Sequence, residues 1–197
     1  GALPLAAATR GARDLLVQER DAALGHIVLA RLLLDGLDAR LAVGDTLRDD
    51  GFAAELADVV LCDPPFRDPN WGRDELADDA RWQCGLPPRG EPELAWVQHC
   101  LARVRPGGCV AVRMPEAAAH RRTGRSVRSA LLRWGALRAV VDPRADGGPG
   151  AHLWLLRRPV PGERPDHLLS VYGTADQRAI AAAWTVFDAG RRAALGP

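Results

Sequence analysis

Short apolar runs alternate along this chain with longer amphipathic segments, and no other feature limits the available folds so strongly. Residues 15–18, 41–43, 57–62 and 109–114 are each too short to make a stable helix, whereas 21–34, 93–104 and 121–134 carry helical spacing. Strand and helix in turn build a mainly parallel sheet with helices packed on it. Residues 137–141 and 152–156 follow one another with no helix between them, which predicts an antiparallel hairpin at the sheet's edge. The predicted class is therefore α/β, an open and mostly parallel sheet. Residues 1–158 carry this pattern as one unit; 159–197 form an extension of unassigned role, with a linker at 160–166, a short strand at 168–172 and a helix at 177–194.

At 197 residues the chain can bury one sizeable core, and its length asks for no second domain. No stretch approaches the roughly 18 apolar residues that a membrane span takes. The Ala-rich start carries Arg10, Arg13 and Asp14, unlike a secretory leader, so a soluble cytoplasmic protein is expected. Cys62, Cys84, Cys100 and Cys109 form no C-x-x-C pair and are expected to be free, mostly buried thiols. The formal charge is only +1, but residues 103–138 hold nine arginines against one acid, Glu116. That stretch is either a solvated helix face or a phosphate-facing patch. The chain opens on Gly1 without a lead-in strand, and reads as a piece of something longer.

In open parallel sheets, ligands sit beyond the carboxyl ends of the strands. Three predicted strands end in or just before an acid: Glu19, Asp45 and Asp63. A carboxylate in Glu19's position has lone pairs enough to grip both hydroxyls of a ribose. Asp45, in the turn Gly44-Asp45-Thr46, could accept from an adenine amine. Either acid could instead serve the N-terminus of a neighbouring helix.

Asp63-Pro64-Pro65-Phe66 is the sharpest local signal. Two successive prolines make a stiff corner in which oxygens point in fixed directions. An exocyclic amine on a nucleobase is a poor nucleophile because its lone pair is delocalised into the ring. The Asp63 carboxylate and the Pro64 carbonyl, accepting its two hydrogens, would favour a pyramidal, reactive nitrogen. Phe66 would stack on a base turned out of the duplex; the alternative is a Pro-rich strand exit with Phe66 in the core. Residues 67–92 hold Trp71 and Trp82 among many Pro, Gly, Asp and Arg. They read as a functional loop, too polar for core.

In these motifs the chain resembles the N-6 adenine DNA methylases, particularly the modification subunits of type I restriction-modification systems. Gly1 resembles the last glycine of that family's cofactor loop, Gln18-Glu19 its ribose-binding acid, Gly44-Asp45-Thr46-Leu47 its adenine-binding turn, and Asp63-Pro64-Pro65-Phe66 its catalytic tetrapeptide. Gly85-Leu86-Pro87-Pro88-Arg89-Gly90 and Arg105-Pro106-Gly107-Gly108 match as well. The resemblance implies a Rossmann-like methyltransferase fold and transfer of a methyl group from S-adenosylmethionine to the N6 amine of adenine in DNA, without a metal. A specificity subunit would read the target, with a restriction subunit as a further partner. Methylation of RNA or of a protein glutamine is the rival chemistry, and a non-catalytic DNA-binding or scaffold domain the rival class.

The sequence departs from the family in two ways. The tetrapeptide opens with Asp63 where the family usually has Asn. The first strand and its Asp-x-x-Gly-x-Gly loop are expected to lie before Gly1; the resemblance places that strand between the one ending at Glu19 and the one ending at Asp63. Residues 1–197 alone are therefore expected to bind the cofactor weakly or not at all.

Overall fold

The computed structural model describes residues 1–144, 150–162, 168–174 and 176–195. Its elements are α1 (Ala2–Ala8), β1 (Asp14–Glu19), α2 (Ala22–Leu34), β2 (Asp38–Val43), β3 (Ala57–Cys62), α3 (Glu93–Ala102), β4 (Val104–Pro115), α4 (Arg125–Trp134), β5 (Leu137–Asp142), β6 (Ala151–Arg157), β7 (Leu169–Tyr172) and α5 (Gln177–Leu195), with one 3₁₀ turn at Glu116–Ala119. Asp21 starts α2 by accepting the Leu24 amide on Oδ1 at 3.0 Å. Residues 145–149, between the two strands of the expected hairpin, lie outside the described residues, and the linker at 160–166 is described only to residue 162.

The strands form two sheets. β1 and β2 pair in parallel, and the second sheet runs in the order β3-β4-β6-β5-β7. Among the described residues, β1 pairs with β2 alone and β3 with β4 alone. These are the two strands between which the resemblance puts one more. The expected antiparallel hairpin is present as β5 and β6, but it lies inside the sheet: β6 sits between β4 and β5, and β7 pairs in parallel on β5's far side as the outer strand. The difference has a simple cause. Residues 168–172 read as an isolated short strand, and nothing local in them names a neighbour 30 residues upstream.

Between β3 and β4 the register jumps. Ala57 pairs with Val104 and Val59 with Cys109, so Arg105-Pro106-Gly107-Gly108 bulges from the strand. Gly108 is obligatory there, because a Cβ would stand 2.8 Å from the Asp58 carbonyl oxygen. Beyond the bulge the alternation is regular. Val110, Val112 and Met114 are buried on one face, and Arg113 points to the other.

α3 is buried on nearly every side, as a helix apolar around much of its circumference should be. Leu94, Val97 and Leu101 join the main core with β4, α4 and Trp154. Ala95 and Trp96 face a second cluster built on Leu47, Trp71 and Trp82. The indole rings of Trp71 and Trp82 meet edge to face with centroids 5.8 Å apart, and the side chains are only 2% and 9% exposed. The segment 67–92 is thus not too polar for core. It folds over its two tryptophans, whose indole nitrogens donate to the carbonyls of Arg89 and Leu76. Of the cysteines, Cys84 and Cys100 are buried, Cys62 is half-buried and Cys109 is exposed.

Candidate active site

β3 ends at Cys62, and the double-proline corner follows. Asp63 and Pro65 are exposed, Pro64 is buried, and Phe66 is partly covered. The pairing of Cys62 with Val112 sets Asp63 beside Arg113. Arg113 Nη1 donates to Asp63 Oδ1 at 3.1 Å, and its guanidinium carbon lies 5.0 Å from the centroid of the Phe66 ring. Among the described residues, Asp63 Oδ2 has no hydrogen-bond partner. Phe66 is therefore not a core residue.

The corner is tied down from behind. Arg67, the residue after Phe66, takes φ 60°, and no other non-glycine among the described residues has a positive φ. Its amide donates to Glu93 Oε1 at 3.3 Å. Glu93 is fully buried at the start of α3, with Arg121 Nη1 3.7 Å from its Oε2. Beside it, buried Glu91 accepts the hydroxyl of Thr123 and lies 3.6 Å from Arg128 Nη1. Gly124 makes this approach possible, since a Cβ there would come 2.5 Å from Glu91 Oε2. Burial lowers the Arg128 guanidinium below its ordinary range, and Glu91 opposes that shift. Arg121, Arg128 and the buried Arg138 of the basic stretch thus serve the interior, while Arg122, Arg125 and Arg133 face outward.

The turn after β2 is anchored to the same loop. Asp45 Oδ1 accepts the Leu47 amide at 3.1 Å, and Oδ2 accepts Arg48 Nη1 at 2.8 Å. Arg48 also donates to Glu75 and to the Asn70 carbonyl, so one guanidinium joins the Asp45 turn to the segment following the proline corner. Thr46 lies half-buried beside it. Deeper in, Arg81 donates to the Leu47 carbonyl at 2.6 Å, to Asp79, and to His99 Nδ1 at 2.9 Å. Asp50 closes the network, 3.0 Å from Arg103 Nε and 3.8 Å from His99 Nδ1. Burial drives the His99 pKa down to about 4, outweighing the attraction of Asp50; a neutral ring is what accepting from Arg81 requires.

Glu19 closes β1. Its carbonyl accepts the Gly44 amide at 3.0 Å, which sets the ends of β1 and β2 side by side. Oε1 accepts the Asp21 amide at 3.1 Å, and Oε2 has no hydrogen-bond partner among the described residues. Gly1 precedes α1 and rests on α2, where an added Cβ would come 3.0 Å from Val28 Cγ2.

Arg113, Glu93, Glu91 and Arg48 were not among the expected site residues. Arg113 did leave a signal, as the one charge in the apolar run 109–114. Glu93 reads in sequence as an ordinary first-turn acid.

Residues 16–144 match the family described as N-6 DNA Methylase. The Type I restriction enzyme HindI methylase subunit of Haemophilus influenzae is 40% identical over 55 residues, which are 28% of this chain and 12% of that protein. The MjaIX methylase subunit of Methanocaldococcus jannaschii is 27% identical over 97 residues, 46% of this chain and 17% of that one. The chain thus spans well under two thirds of the curated relatives it matches. The type I restriction-modification methyltransferase subunit of Streptococcus thermophilus superposes with a TM-score of 0.73 at 18% identity, over 86% of this chain and 42% of that one, and has the same Rossmann-like methyltransferase fold. With the family match running from β1 through β5, across both acid-bearing strand ends and the proline corner, the chain belongs to the N-6 DNA methylase family.

Proposed function

We propose that this chain carries the base-binding corner and the adenosine half of the cofactor site of an adenine-specific DNA methyltransferase within a restriction-modification system. The observation that carries the reading is the pairing, at one stiff corner, of an exposed carboxylate with an open oxygen and a partly exposed ring. Asp63 Oδ2 and the Pro64 carbonyl would accept the two hydrogens of the adenine N6 amine. Pro65 fixes the corner's direction and Phe66 stacks on the extruded base. Held in this way the nitrogen lone pair is withdrawn from the ring and can attack directly, with no covalent enzyme intermediate.

The donor set suits S-adenosylmethionine in its adenosine part. Glu19 offers Oε2 to the ribose hydroxyls, while Asp45 and Thr46, braced by Arg48, border the adenine; Gly1 belongs to the same loop region by resemblance. When bound, that cofactor supplies a methyl group on a sulfonium. Among the described residues β1 and β3 each have one strand partner, so the residues at their ends lack the support of a continuous sheet. Residues 1–197 alone are accordingly expected to bind the cofactor weakly; tight binding in a calorimetric titration would overturn this. DNA is the substrate, a specificity subunit is the partner, and the cytoplasm is the compartment. Among the described residues no helix is long and apolar enough to cross a membrane. Residues 1–158 form the catalytic unit in this reading.

The test is product analysis. The chain, preceded by the Asp-x-x-Gly-x-Gly strand of a type I methylase subunit, is incubated in turn with unmethylated DNA, RNA and a glutamine-containing protein in the presence of labelled cofactor, and the products are resolved. N6-methyladenine should appear, and Asp63→Ala should lower its rate about 10²–10³-fold, the usual loss when a preorganised polar partner is removed. Label in RNA or in protein glutamine, or none in any of the three, would sink the reading.

A further inference from the structure

We propose that Arg113 is a stand-in for the target base, occupying the base-binding corner until an extruded base displaces it. This rests on the reading of Asp63 and Phe66 as the base's partners. A guanidinium is flat, carries N–H donors in its plane and stacks on aromatic rings. Those are the properties by which a flat base with an exocyclic amine would be held here. Arg113 uses them on the same two partners, with Nη1 at 3.1 Å from Asp63 Oδ1 and its carbon 5.0 Å from the Phe66 centroid. A base stacked on the ring face that Arg113 covers would take its place.

The arrangement is suited to displacement rather than to permanent closure. The Arg113 and Asp63 side chains are 54% and 52% exposed, and exposed ion pairs and cation–π contacts are individually weak. The side chain stands on the open face of β4, opposite buried Val112 and Met114, so nothing in the core shifts when it swings away. While it is docked, the ring face and one carboxylate oxygen are covered, and base affinity is reduced by the fraction of molecules in that state.

The experiment uses the full chain and a single-stranded oligothymidine carrying one central 2-aminopurine, whose fluorescence reports stacking and whose extrahelical state removes the cost of opening a duplex. Arg113→Ala should bind this probe about three- to tenfold more tightly than the unmodified chain at the same salt, the factor expected from losing two weak contacts. Arg105→Ala removes the same charge from an exposed pair with Asp58 at the other end of β4, and should leave binding unchanged or weaker. If Arg113→Ala binds no more tightly while the unmodified chain does bind, the stand-in is wrong and base binding stands. No saturable response from either protein overturns both.

Discussion

Asp63 has one oxygen directed to Arg113 and the other open, and this division says what may replace it. Asparagine keeps an acceptor oxygen at the corner but loses the charge that holds Arg113. Asp63→Asn should therefore retain methyl transfer within about tenfold, whereas Asp63→Ala should lose about 10²–10³-fold, as measured by N6-methyladenine formation in the chain joined to the Asp-x-x-Gly-x-Gly strand of a type I methylase subunit. Equal losses would mean that the charge, not the acceptor, matters. Glu93 supports the corner rather than the base. Glu93→Ala leaves the Arg67 amide and the Arg121 guanidinium without a buried partner and should cost about 1–3 kcal/mol in urea unfolding, the usual penalty for an orphaned polar group. Glu93→Gln keeps an oxygen for the amide and should cost less. The proline corner was legible in sequence because its stiffness is local. Arg113 and Glu93 were not, because their partners lie 50 and 26 residues away and only strand register and helix placement bring them together.

Most elements were legible for the same local reason: Ala57–Cys62 has the predicted bounds, and α2, α3, β5 and β6 end within two residues of the predicted limits. The hairpin's edge placement and the start of α4 were misread, and so was the segment 67–92, whose composition hides two tryptophans that find each other, Leu47 and Ala95 in space. That packing buries the His99 network, and so gives the loop a pH dependence. The folded ring titrates at about 4 and the unfolded one near 6.5. Between those values the unfolded chain binds a proton that the folded chain refuses, so stability rises with pH across this window, on the order of 1 kcal/mol per pH unit. Asp79 adds to the same acid limb at lower pH: Arg81 holds its carboxyl below the usual range, so its contribution is lost as pH falls through that lowered value. Urea unfolding from pH 4 to 7 should show the slope, and His99→Gln, which keeps an acceptor for Arg81, should flatten it. An unchanged slope in the variant would place the titration elsewhere.

At the scale of the molecule, burial is unequal between the two sheets, and stability should follow it. β4 is paired on both sides and buries Val110, Val112 and Met114; β6 is paired on both sides and buries Trp154 and Leu156. In β1 only Leu15 is buried, and β2 has no buried residue. α2, which packs on them, leaves Leu24, Ile27 and Leu34 at 54%, 64% and 85% exposure. The link to the larger sheet runs through residues 44–56, by way of Leu47, the Asp50–Arg103 pair and the bond from Gln18 Nε2 to the Asp49 carbonyl. Two strands and a helix with so little buried surface are marginal by themselves. Native-state hydrogen exchange should accordingly find two cooperative units: amides of β1, β2 and α2 opening at free energies well below the global value, and amides of β4 and β6 exchanging only through global unfolding. Arg103→Ala, which breaks a tie between the units without touching either sheet's ladder, should lower the protection of the first set more than that of the second. Uniform protection across both sheets would show instead that the 44–56 segment couples them into one unit, and that Glu19 and Asp45 are held as firmly as Asp63.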